Sequence, residues 1–289
     1  MSTTIRNPVE WSLDQVRHAA QGMGTAGRAM RHAQATLHSP KPVVRRIGVA
    51  DLGEALAKGV QDFGAYRTDV IFLCVIYPVI GLVLGRLAFG AGLLPLLFPL
   101  AAGFALLGPL AAVGLYEMSR RRERGEEVSW ATAFGVVHAP SFAAIFMLGL
   151  VLMAIFLLWL ATAETIYAHT LGPAQPASLG AFLSAVLTTA PGWALIGIGV
   201  SAGFCFALLV LTIGAVSFPL LLDRDAGIDT AVSTSVRVCA ANPGPMAAWG
   251  LIVAGLLALG SLPLFVGLIV VLPILGHATW HLYRKTVAR

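Results

Sequence analysis

Two tracts of this chain are almost free of charge. Between Glu127 and Asp223 the one Asp, Glu, Lys or Arg is Glu164, and between Arg237 and Arg284 there is none. A soluble domain carries about a quarter of its residues as charges, whereas here 11% are charged and 57% hydrophobic. A charge at the centre of a bilayer costs about 2.5 kcal/mol or more. Long neutral tracts are therefore what lipid demands of a chain, and they exclude an ordinary soluble fold.

A helix needs about 20 mostly apolar residues to cross the hydrocarbon. The runs that meet or approach this length are Val70 to Leu87, Leu93 to Tyr116, Pro140 to Ala163, Trp193 to Leu222, Met246 to Leu262 and Pro263 to Tyr283. The expectation is an all-α, polytopic membrane protein with six transmembrane helices. The last two runs meet at Ser261-Leu262-Pro263, so two spans, one kinked helix and a re-entrant hairpin all remain open for 246–283.

Basic residues set the orientation. With six spans and the N-terminus inside, only Arg86 of the 19 Lys and Arg residues falls near the outer face. That asymmetry follows the positive-inside rule and places both termini in the cytoplasm. The string SRRRERGEE, from Ser119 to Glu127, then reads as a cytoplasmic loop. Its Arg120, Arg121, Arg122 and Arg124, with Arg284 and Lys285 at the far end of the chain, are candidates for topology signals and for contacts to anionic headgroups.

Four short Ala-rich segments begin with a cap-like residue: Asp51, Ser129, Ser178 and Asp229. Asp51 with Glu54 has the spacing of a capping box. Each segment then meets a Gly or Pro, as expected for an amphipathic elbow lying at the membrane interface. The elbows precede spans one, three, four and five, which suggests an internal duplication into two halves.

The domain expectation is a basic cytoplasmic arm over 1–46 and a six-span domain over 47–287. No signal peptide is visible, so the N-terminus is expected to be retained. The arm suits loose association with anionic lipid or simple disorder, and nothing in it forms a nucleic-acid module. The cysteines, Cys74, Cys205 and Cys239, lack CxxC spacing and read as small apolar residues.

His277 and His281 stand one helical turn apart, just before Tyr283, Arg284 and Lys285. Such a pair can anchor at the interface, join helices, or bind metal or haem. A metal would need further ligands, and no other histidine shows ligand spacing. Interface anchoring is the favoured reading, with no cofactor expected. Arg86 and Glu164 end spans one and three, so an outer-face ion pair is geometrically open, against the simpler reading that each snorkels to water. Gly81-xxx-Gly85 and Gly199-xxx-Gly203 offer faces for close helix packing. Prolines 78, 95, 99, 109, 219 and 273 would kink the spans that they lie in or border. No nucleophile motif, P-loop or zinc-hydrolase motif appears, so no residue is left to carry catalysis.

The strings DLGEALAKGVQDF, IYPVIGL, LPLLFPLAAGFALLGP, GLYEMSRRRE, GW followed by SFPLLLDR, TSVR with NP, and GHATWHLYRK together resemble the bacterial integral membrane family catalogued as domain of unknown function 2189. The resemblance spans Ile47 to Val287. It implies a bacterial inner-membrane location and a multi-helix core, and it carries no activity over to these positions.

Three functions follow as expectations. The first is a non-enzymatic accessory or assembly protein of a membrane complex, with the bilayer, anionic headgroups and other membrane proteins as partners. The alternative is a carrier for a small or lipid-like molecule. The third is haem or metal handling through His277 and His281.

Overall fold

The computed structural model describes residues 41–75, 79–83, 86, 94–224, 226–263 and 265–288. The described residues are helical, apart from turns and one isolated antiparallel bridge between Val44 and Val287. The helices are α1 (Val49–Ala65), α2 (Arg67–Cys74), α3 (Leu97–Ala111), α4 (Val113–Glu123), α5 (Trp130–Ala133), α6 (Phe142–Thr170), α7 (Leu179–Thr188), α8 (Ala190–Gly214), α9 (Ser217–Asp223), α10 (Ile228–Ala241), α11 (Pro243–Ser261) and α12 (Leu268–Thr286).

Among the described residues, four stretches are long and apolar enough to cross a membrane: Leu94–Glu123, Phe142–Thr170, Ala190–Asp223 and Pro243–Ser261. They overlap the second to fifth of the expected spans. The first, Val70 to Leu87, lies partly outside the described residues, as does the arm up to residue 40. The last, α12, is not among these four, its second half carrying His277, His281, Arg284 and Lys285. α11 and α12 are separate helices joined by a tight turn, which removes the single kinked helix from the choices for this region. In that turn Phe265 has a positive φ of 65°, and Gly267 packs so closely on Gly260 that an added Cβ would lie 2.8 Å from its backbone.

Large residues on one helix meet glycines on the next. Trp159 of α6 hydrogen-bonds the Pro99 carbonyl at 3.2 Å and packs on Phe206 and Gly203 of α8. Phe156 covers Gly103 of α3, and Leu110 covers Gly149 of α6. These contacts fix α3 antiparallel to α6. Gly203 packs as a small-residue face should, while Gly199 in the same GxxxG faces open space.

Three sequence readings change at the helix ends. SRRRERGEE is not a loop throughout, since Ser119–Glu123 forms the last turn of α4. Gly125, at φ 73°, closes that helix: its N–H bonds the Arg122 carbonyl while the Glu126 N–H bonds that of Arg121, the glycine-ended motif that satisfies terminal carbonyls. Asp51 is not the first cap either. Gly48 is, and Asp51 reaches back to the Gly48 N–H at 2.8 Å. Asp229 likewise sits one residue inside α10, whose cap is Gly227. Ser178 does cap α7, accepting from Ala181 N–H at 3.1 Å, and Ser129 occupies the cap position of α5.

α1 runs antiparallel along α12 rather than standing apart from the bundle. Its buried stripe, Leu52, Ala55, Gly59 and Asp62, has helical spacing. Gly59 allows the closest approach, because a Cβ there would lie 2.6 Å from the Ile274 carbonyl and 2.8 Å from Ala278 Cβ.

Candidate functional site

Asp62 is the least expected residue of that stripe. It is a carboxylate at only 5% exposure, and a buried charge is tolerable only when paired and hydrogen-bonded. α4 and α12 supply the partners. Ser119 Oγ donates to Asp62 Oδ2 at 2.5 Å, His281 Nε2 donates to the same oxygen at 2.9 Å, and Arg122 Nη1 donates to Oδ1 at 2.6 Å.

Proton counting extends the chain. An ionised carboxylate only accepts, so the Ser119 hydroxyl proton is committed to Asp62. His277 Nδ1, 2.8 Å from Ser119 Oγ, must therefore be the donor to that oxygen. The Nε2 of His277 is left as an acceptor, fully buried and without a partner. Burial by itself would raise the Asp62 carboxyl, but hydrogen bonds from His281 and Ser119, with the two imidazoles close by, hold it below the ordinary carboxylate value.

A second tier of ion pairs ties the same end of the molecule together. Glu117 holds Arg120 and Arg121 at 2.8 and 2.7 Å, and Arg120 also caps α9 through the Leu222 carbonyl. Arg284 joins Glu123 and Asp223, with Tyr283 donating to Asp223 at 2.7 Å. Lys285 grips Asp51 and Glu54.

The sequence candidates therefore fall in unexpected places. His277 has no exposed surface, and both imidazoles join helices, the second of the readings left open by their spacing. They converge with Asp62 as a hydrogen-bonded chain, and among the described residues no group of three or more His, Cys, Asp or Glu is placed to hold a metal ion. Of the six basic residues read as headgroup contacts, Arg120, Arg121, Arg122, Arg284 and Lys285 are committed to carboxylates of this chain, while Arg124 is exposed and has no such pair among the described residues. Arg86 and Glu164 are both exposed, and the structure does not bring them together.

Asp62 and Ser119 were missed in the sequence, although a helical wheel through Leu52, Ala55 and Gly59 carries Asp62 onto the buried face. Ser119 had no comparable signal, because its string read as a loop.

The opposite face of α12 borders a different feature. An apolar cleft of about 350 Å³ opens between α3, α4, α8, α11 and α12, lined by residues that include Ala105, Pro109, Leu208, Trp249, Gly276 and Thr279. Small side chains leave this space unfilled. Pro109, which lacks an N–H, interrupts the α3 hydrogen-bond ladder beside it. At 100° per residue, Leu275 and Thr279 stand about opposite His277. One helix thus presents the buried polar chain to α1 and α4 and a wall to the cleft.

The three spans Leu94–Glu123, Phe142–Thr170 and Ala190–Asp223 also fit a known family. Residues 97–223 match the family described as predicted integral membrane protein (DUF2189). The DUF2189 match runs from the first residue of α3 to the last of α9, less than the resemblance over Ile47 to Val287 implied. Ser119 and Arg122 lie inside the DUF2189 segment, while Asp62, His277 and His281 lie outside it. No curated protein and no solved structure matches the chain.

Proposed function

We propose that this integral membrane protein is a non-enzymatic carrier or holder of a lipid-like molecule, whose apolar chain occupies the cleft between α3, α8, α11 and α12. The observation that carries this reading is the cleft itself. It lies within the apolar length of four helices, has an almost wholly hydrocarbon lining, and is of the size that ligand pockets have. The proposal includes six crossings with α12 as the sixth, two duplicated halves, an inner-membrane location and both termini in the cytoplasm. The positive-inside distribution supports the orientation.

The test is binding of a fluorescent fatty-acyl probe to the full chain in detergent. The wild type is expected to bind saturably, and Ala207→Phe or Ala254→Phe, each adding bulk to the lining, to weaken binding at least tenfold without loss of helix content. Equal binding by the filled variants overturns the reading.

The accessory or assembly role remains as a second proposal, favoured by the exposed face of α8, where Ala194, Gly197, Ser201 and Cys205 form a shallow groove suited to a helix of another protein. Gentle extraction should then recover partner proteins in fixed stoichiometry, and a clean monomer counts against it.

A further inference from the structure

The arginine-rich end of α4 is neutralised within the chain, yet the same end of the molecule carries a second basic group that is not. Residues 42–47 are held across the C-terminal half of α10 and the end of α12. Arg237 Nη1 donates to the Pro42 carbonyl at 3.2 Å. The buried Asn242 accepts from Ile47 N–H at 2.8 Å and donates to the Arg45 carbonyl at 3.1 Å. Arg45 N–H bonds the Thr286 carbonyl, and Ala288 N–H bonds that of Val43.

This backbone lacing sets Lys41, Arg45 and Arg46 beside Arg237, all four side chains exposed. No carboxylate among the described residues is ion-paired to any of them. Seven acids at this end are already engaged: Asp51 and Glu54 by Lys285, Asp62 by Arg122 and His281, Glu117 by Arg120 and Arg121, Glu123 and Asp223 by Arg284, and Glu126 by Arg121. Valines stand out between the cations, Val43 and Val49 at 68% exposure and Val236 at 41%.

We propose that this patch docks on the anionic headgroup layer of the membrane, with Arg45, Arg46, Arg237 and Lys41 facing lipid phosphates and the valines entering the acyl boundary. Basic residues interleaved with exposed apolar ones suit a lipid surface better than a free anion, which would make no use of Val43, Val49 and Val236. The proposal goes beyond the cleft and does not depend on it.

The experiment places the full chain in nanodiscs of phosphatidylcholine with phosphatidylglycerol, extracts it gently, and counts retained lipids by native mass spectrometry. Wild type is expected to keep phosphatidylglycerol in preference. At about fivefold per basic residue near an anionic surface, Arg45→Gln with Arg46→Gln should cut that preference at least tenfold. Those two side chains make no hydrogen bond to another described residue, so the fold should persist, and Arg45→Lys with Arg46→Lys should keep most of the preference. Ala207→Phe, in the cleft, should leave it unchanged. An unaltered preference in the double Gln variant overturns the proposal. So does displacement of the lipid by inorganic phosphate, which assigns a free-anion site, or loss of the preference in Ala207→Phe, which assigns the lipid to the cleft.

Discussion

Asp62 accepts hydrogen bonds from three side chains on two other helices, so its removal strands each of them. Breaking a buried charged network costs about 3–5 kcal/mol, and Asp62→Ala is expected to lower unfolding stability in detergent by that order. Ser119→Ala, which breaks the link to His277 and leaves the carboxylate its charged partners, should cost about 1–2 kcal/mol. A loss below about 1 kcal/mol for Asp62→Ala would contradict the geometry. Acid provides an independent probe. Because Asp62 is held below the ordinary carboxylate value in the fold, its contribution is complete above the unfolded value and disappears as pH falls through the folded one. Wild type should therefore lose stability on acidification below the usual carboxylate range, and Asp62→Asn should show a shallower loss there. Little of this was legible in the sequence. The histidine pair stood out by spacing, but its partners lie 158 and 219 residues away in the chain, and no local pattern links such positions.

Helix packing rests on close approaches that single methyl groups test. In α1, Gly53 faces open space while Gly59 meets the backbone of α12. Gly53→Ala should stabilise slightly, since alanine is favoured over glycine inside a helix by about 1 kcal/mol. Gly59→Ala should destabilise by about 1–3 kcal/mol despite the same propensity gain, because a backbone carbonyl cannot move aside as a flexible side chain does. Thermal unfolding of the pair in one detergent checks the sign of each, and equal shifts would contradict the docking of α1. Amphipathic spacing made α1 readable as a helix, and the caps at Ser129 and Ser178 were readable too. The break at Gly125 was not placed correctly, because Arg and Glu continue a helix as readily as they populate a loop, and it was the left-handed glycine after them that marked the end. α12 is the least apolar of the expected spans, since His277, His281 and Tyr283 in its second half belong to the polar layer.

At the scale of the molecule, charge among the described residues is segregated. The networks of α1, α4, α9 and α12, and the basic patch of residues 41–46 with Arg237, lie at one end. Glu164 and the α6–α7 connection lie at the other. The uncharged tracts made the four long helices legible from sequence, because the hydrocarbon interior imposes their length and composition with little regard to partners. The cleft was not legible, since a void depends on which small residues happen to face one another. The central claim, that lipid surrounds the neutral helices and that the charged end faces the cytoplasm, is tested most directly by sidedness labelling. In a cysteine-free background, Gln175→Cys and Glu127→Cys, both exposed positions, are treated in intact cells with a membrane-impermeant maleimide. The account predicts labelling at 175 in intact cells and labelling at 127 only after permeabilisation, and labelling at 127 in intact cells would contradict it.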